Sequence, residues 1–285
     1  MNVLITGRGT SGSWKIRGEQ LGRAIGATVL PRAIDMDPFD AVVMVKRTQP
    51  DMVVRARESR VPLVWDVVDA WPQPAGNTWG RDECMAWLRQ QVKAIKPAGI
   101  VAATRAMAAD CAEFGVPVLT LPHHARPGLE RNPIREQVQT VGYEGSESYI
   151  TGWRRHIEHE CKQRGWRFVV NPERLADVDI VLALRDATGY APRHYKSGVK
   201  LANAQGSGTP FIGCREFGYM ENSIGNCEKW ADTPDELKRA FDLLTSQGER
   251  RRVAQWMLSV APSLPATAKV YLDWLKTVCE TAPRS

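Results

Sequence analysis

The sequence predicts an α/β protein made of two Rossmann-like, doubly wound domains facing a cleft. Three observations predict it. Short apolar, β-branched runs alternate with helical patterns along nearly the whole chain, as in parallel sheets covered on both faces. The alternation breaks once, in the polar and proline-rich stretch Pro122–Arg135 (PHHARPGLERNPIR), and then restarts. The 285 residues, 43% hydrophobic and 25% charged, hold enough apolar material for two modest cores.

The elements follow in order. Asn2–Thr6 (NVLIT) is a short apolar strand that runs into a glycine-rich loop, Gly7–Ser13, and a helix whose regular pattern begins around Arg17 and ends at Ile25. Thr28–Leu30 and Ala41–Val45 are short β-branched strands, and Pro50–Arg60 is helical. Val61–Val68 (VPLVWDVV) is a buried strand, followed by a helix over Asn77–Ile95. Gly99–Thr104, Arg105–Phe114 and Val116–Leu121 repeat strand, helix, strand. Beyond the linker, Val138–Tyr143 is a strand, Glu144–Ser148 a loop and Tyr149–Arg164 a helix. Strands at Trp166–Val170 and Ile180–Leu184 precede a long loop, Arg185–Ser197. The helix Val199–Gln205 and the strand Pro210–Gly213 come next, then a helical tail over Asp235–Ser246, Glu249–Val260 and Ala266–Val278. The expected domains are residues 1–125 and 136–265, with 266–285 a terminal helix that crosses back to the first.

Composition bounds the function. A net charge of +6 permits an acidic ligand or nucleic acid and demands neither. With no run of 18 uncharged apolar residues and no basic, apolar leader in MNVLITGRGT, neither a transmembrane helix nor a signal peptide is expected, and the cytoplasm is the default compartment. Six scattered cysteines without a CxxC pair read as reduced thiols, not as a metal set. Most of the ten tryptophans should anchor cores, with a few left to stack on bases or sugars.

Gly7, Gly9 and Gly12 spell G-x-G-x-x-G after the first strand, with Asp35 and Asp37 further on, as in a dinucleotide site. With the helix pattern starting only near Arg17, the loop reads better as an acceptor-side loop carrying Gly9, Thr10, Ser11 and Trp14. Asp66 and Asp69 close the strand in WDVVDAW, where a sheet end faces a ligand; either could deprotonate an acceptor hydroxyl, Asp69 being nearer the loop. His123 and His124 at the linker are cleft contacts or solvent-facing linker residues. His156 and His159 share a helix face without a third ligand, and Arg154–Arg155 and Arg250–Arg252 are basic helix faces.

Lys196–Gly213 (KSGVKLANAQGSGTPFIG) holds the most specific pattern. A lysine at a helix start sets a cation beside the helix's own positive end, and both attract phosphate oxygens. Lys200, Leu201, Asn203, Ala204, Gly208 and Pro210 give K-L-x-N-A-x-x-x-G-T-P, which resembles the donor-site helix of GT-B glycosyltransferases, K-L-x-E-A-x-x-x-G-x-P. The resemblance implies that Lys200, with Lys196, neutralises a donor diphosphate. It places Asn203 where a glutamate often holds the ribose, and an amide holds a hydroxyl more weakly. Val141–Ser148 (VGYEGSES) is similar to the first strand and loop of that family's C-terminal domain, which would bring Gly145 and Ser146 to phosphate through their backbone amides. The activity implied is transfer of a sugar from a nucleotide-diphosphate sugar, a UDP-sugar by default, to a hydroxyl, with no obligatory cofactor or metal. The basic balance and the tryptophans suit a hydroxymethylated pyrimidine in DNA, the acceptor of phage glycosyltransferases, which must be flipped from the duplex. An NAD-dependent oxidoreductase or epimerase using Gly7, Gly9 and Gly12, and a non-catalytic nucleic-acid-binding protein, are the alternatives.

Overall fold

The computed structural model describes residues 1–281 other than Ile34, Thr48, Ala187 and Asn226. Its internal contacts divide the chain into two units. Unit 1 comprises Met1–His123, Gly189–Ser197 and Ser263–Ser285; unit 2 comprises His124–Thr188 and Gly198–Pro262. Of the predicted 266–285 tail, Ala282–Ser285 lie outside the described residues.

Unit 1 is built on β1 (Val3–Gly7), β2 (Thr28–Val29), β3 (Ala41–Val45), β4 (Leu63–Val68), β5 (Gly99–Ala102) and β6 (Val118–Thr120). They form a parallel sheet in the order β2-β1-β3-β4-β5-β6. β1, β3, β4 and β5 are buried throughout, which is why they read as continuous apolar runs without alternation. The chain winds from β1 to β2, then crosses to β3 and builds outward. The order therefore reverses between β1 and β3, and in such sheets ligands bind beyond the strand C-termini at that reversal.

Helices cover both faces. One face packs Trp65, Met44 and Ile100 with residues of α2 (Pro50–Glu58), α3 (Arg81–Ile95) and α4 (Arg105–Ala112). The other packs Ile5, Val43, Val64 and Val101 with Leu21 of α1 (Leu21–Ala24) and with Ala268, Tyr271, Leu275 and Val278. The first helix starts earlier than its apolar pattern announces: a π-wound stretch, Trp14–Gln20, runs directly into α1. Trp14 stacks its ring on Gly18 and Gly7, and this packing, not periodicity, sets the start. A side chain at Gly18 would lie 2.7 Å from that ring.

The segment Gly189–Ser197 was expected within the second domain, yet it packs in unit 1. It contains a short helix, Tyr190–His194, absent from the sequence reading. The Gly189 N–H donates to Asn77 O at 3.0 Å, and the Tyr190 and Tyr195 hydroxyls donate to Asp110 Oδ2 at 3.0 and 2.6 Å. Thr104 Oγ1 donates to His194 O at 2.8 Å. All of these partners are distant in sequence, so no local pattern announces them.

Unit 2 is built on β7 (Thr140–Tyr143), β8 (Arg167–Val170), β9 (Ile180–Ala183), β10 (Phe211–Gly213) and β11 (Lys229–Trp230), parallel in the order β11-β10-β9-β7-β8. β11 is a two-residue edge strand and carries too little pattern to be read from sequence. The reversal here lies between β7 and β9. The core gathers Val141, Tyr143, Val181, Leu182, Phe211 and Phe241. Arg250, expected on a solvated helix face, is fully buried and donates to the carbonyls of Leu244, Thr245, Arg135 and Glu136. It closes the end of the helix Pro234–Thr245 and fixes the chain leading into β7.

Candidate functional site

The strand reversal in unit 2 brings several predicted residues together. β7 ends at Tyr143, and the chain turns through Gly145, whose φ of +145° is open to glycine and costly for other residues. Asn171, just past the neighbouring β8, holds this turn: it accepts from the Gly145 N–H at 2.8 Å and returns its own amide to Gly145 O at 3.1 Å. The expected phosphate contact through that N–H is therefore already used by Asn171. Ser146 stays beside the site, its carbonyl 3.5 Å from the Tyr143 hydroxyl.

The helix Val199–Ser207 opens after Gly198 and places Lys200 in its first turn. Its Nζ lies over the Tyr143 ring, 4.1 Å from the centroid, a cation–π contact. A side-chain carbon on Gly145 would stand 3.2 Å from that ammonium. Lys200 is half-buried, directed onto the Tyr143–Gly145 turn rather than into bulk solvent. Burial pushes the Tyr143 phenol up to about 12, so it remains neutral beneath the lysine. The rest of the motif is architectural. Leu201, Ala202, Ala204 and Gln205 are buried, and Gly208 ends the helix at φ +68°, with Thr209 N–H donating to Ala204 O. Asn203 is buried and its Oδ1 accepts from the Arg126 N–H at 3.0 Å, so the oxygen of this amide holds the linker.

Sequence reading missed Arg185 and Glu216. Arg185 follows β9, and its Nε donates to Glu216 Oε1 at 2.7 Å, both side chains being nearly sealed. The guanidinium lies 4.8 Å from the Tyr149 ring centroid. Burial works against its charge, and the Glu216 carboxylate outweighs burial and holds it protonated. The basic residue closing the apolar run IVLALR was the available signal.

In unit 1 the strand-end carboxylates differ from expectation. Asp66 is fully buried on β4; burial pushes it up to about 6 against the nearby charge of Arg17. Sealed from solvent, it cannot meet an acceptor. Asp69 is also buried, and its two oxygens are divided between Lys46 Nζ at 2.6 Å and Lys196 Nζ at 2.5 Å. Burial alone would raise its pKa, but the charges and hydrogen bonds of Lys196 and Lys46 hold it well below the usual carboxylate range. A carboxylate so clamped is ionised and a weak base. Lys196 is thus bound to Asp69 within unit 1, and its Nζ lies 5.6 Å from the Trp71 ring centroid. Lys46, missed by sequence reading, follows β3.

The glycine loop lies at the β1 end. Gly9, Thr10 and Ser11 reach solvent, whereas Trp14 is buried with its indole N–H on Glu19 Oε1 at 3.1 Å, so it offers no stacking face. His123 and His124 are buried, not solvent-facing. The chain after β2 reads Leu30, Pro31, Arg32 and supplies no acid where a ribose would lie. Asp35 Oδ1 instead accepts from Asp37 N–H at 2.9 Å. Among the described residues, no three His, Cys, Asp or Glu side chains converge as a metal set. No described helix is long and apolar enough to cross a membrane.

This is the fold of the GT-B glycosyltransferases: two doubly wound parallel units, each with its reversal beside its first strand. The chain is similar over 97% of its length to all of Anabaena HepE solved with UDP, with 11% identity and a TM-score of 0.64. It is similar over 99% of its length to 99% of AviGT4, a glycosyltransferase involved in avilamycin A biosynthesis, at 15% identity and a TM-score of 0.60. A sucrose-phosphate synthase from Thermosynechococcus elongatus matches over 99% of this chain and 100% of its own, at 10% identity and a TM-score of 0.63. No protein-family model matches the chain, and no curated protein matches it by sequence.

Proposed function

We propose that the chain is a glycosyltransferase that moves a sugar from a nucleoside-diphosphate sugar to a hydroxyl acceptor. One observation carries the reading: Lys200, at the start of its helix, is held by Tyr143 against the Gly145 turn beside the β7/β9 reversal. A diphosphate at that turn meets an ammonium and the positive end of a helix, and both gain strength as negative charge develops on the leaving group. Arg185, paired with Glu216, lies next to Tyr143 at the same sheet end. HepE, solved with UDP and with UDP-glucose, supports UDP as the donor nucleotide. The net charge of +6 supports an anionic acceptor, of which a hydroxymethylated pyrimidine in DNA is one. Neither Asp66 nor Asp69 is assigned the base's role, for the reasons of burial and pairing given above.

Thermal unfolding with UDP, GDP, CMP and NAD tests the reading. A nucleoside diphosphate should raise the midpoint, and Lys200→Met should weaken its binding by about tenfold to a hundredfold, the worth of one hydrogen bond to a charged group. A midpoint raised by NAD and unmoved by UDP or GDP would falsify it.

A further inference from the structure

We infer that the C-terminal edge of the unit 1 sheet binds a phosphoryl group of the acceptor. The inference rests on the glycosyltransferase reading and names the chemistry of the acceptor. β1, β3 and β4 end there side by side, with Gly7 opposite Val45 and Val45 opposite Asp66. The residues that follow β1 and β3 are basic: Arg8 comes after Gly7, and Lys46 and Arg47 after Val45, with both arginines exposed. Lys196 joins them through its bond to Asp69.

The acids of this edge do not balance that charge. Asp69 serves both lysines, so one ammonium charge is left over. Asp51 is taken by Arg32 at 2.5 Å. Depth matters as well. The Asp69 side chain keeps 5% of its exposure while Lys46 and Lys196 each keep 20%, so the carboxylate lies beneath and the ammonium groups above. Because the β1/β3 reversal is where a doubly wound sheet takes its ligand, the surplus charge lies at the binding position. Ammonium groups act as point charges with rotatable donors, which suits a tetrahedral phosphoryl group. The group can belong to a nucleic-acid backbone or to a phosphorylated small molecule.

The test uses the full chain and the triple variant Arg8→Gln, Lys46→Gln, Arg47→Gln, in which the amide introduced in place of Lys46 still offers Asp69 a donor. Binding of a single-stranded oligonucleotide, a hexose phosphate and inorganic phosphate is measured by calorimetry at about 50 and 200 mM salt, with a UDP thermal shift alongside. The variant should lose tenfold or more in affinity for the anion while its UDP shift stays unchanged. Oligonucleotide binding that falls steeply with salt assigns the phosphoryl group to a nucleic-acid backbone. Preference for the hexose phosphate with a shallow salt dependence assigns it to a small acceptor. A wild-type chain that shifts with UDP and binds none of the three anions overturns the inference, as does a variant that binds as tightly as wild type. Anion binding in a chain that gives no UDP shift would uphold this site and remove the donor assignment.

Discussion

Asp69 shows how one side chain's surroundings decide its chemistry. With ammonium groups on both oxygens it organises Lys46 and Lys196 at the strand ends. Its folded pKa lies below its unfolded value, so the unfolded chain binds the proton more readily. The stabilisation is therefore complete above the ordinary carboxylate pKa, near pH 4, and is lost as pH falls below it. Asp69→Asn should cost about 3 kcal/mol at neutral pH, because two ammonium groups lose their buried partner. The variant should also show a shallower acid limb below about pH 4, as read by denaturant midpoints across pH. Asp66 has the opposite sign. Its carboxyl is pushed up to about 6, so its contribution is complete below the unfolded value near 4 and is lost as pH rises to about 6.

At the level of elements, two glycines bound the unit 2 site, and they should fail differently. Gly145 sits at φ +145° with the Tyr143 hydroxyl and Lys200 Nζ at 3.0 and 3.2 Å from where a side-chain carbon would stand. Gly145→Ala should strain the turn by about 1–3 kcal/mol and displace the lysine, lowering UDP affinity as well as the unfolding midpoint. Gly208 ends the lysine's helix at φ +68°, with Leu258 side-chain atoms 3.0 Å from the same position. Gly208→Ala should cost about 1 kcal/mol or more in stability and leave UDP affinity nearly unchanged, since it touches the far end of the helix. Parallel denaturation and UDP titration of the two variants separates a turn that shapes the site from a cap that only ends a helix.

At the level of the whole molecule, the terminal helix Leu264–Thr281 belongs to unit 1, although unit 2 residues precede it in sequence. Ala268, Tyr271, Leu275 and Val278 enter the unit 1 core, and Trp274 packs on Gly99, where a side-chain carbon would come within 2.8 Å of its ring. Burying these side chains is worth about 6 kcal/mol or more, comparable with the whole stability of a typical domain. A chain ending at Pro262 should therefore lose cooperative unfolding of unit 1, seen as a missing transition in calorimetry, while Val141, Leu182 and Phe241 keep unit 2 packed.

The alternation of β-branched runs with helical patterns was enough by itself to reveal two parallel α/β sheets, because strands buried on both faces must be apolar throughout. The helix-start lysine, the glycine and the proline of the segment Lys196–Gly213 were legible for a similar reason: each is demanded by local backbone geometry or by the helix's own charge. Tertiary structure alone decided which side chains meet. Lys196 and Lys200 are close neighbours in sequence, yet one clamps Asp69 in unit 1 and the other rests on Tyr143 in unit 2. Asp66 and Asp69 look interchangeable in WDVVDAW, yet one is sealed beneath Tyr271 and the other shared by two lysines. Such differences arise from partners far away along the chain, and burial and Coulomb energies depend on distance in space, which no local pattern of residues records.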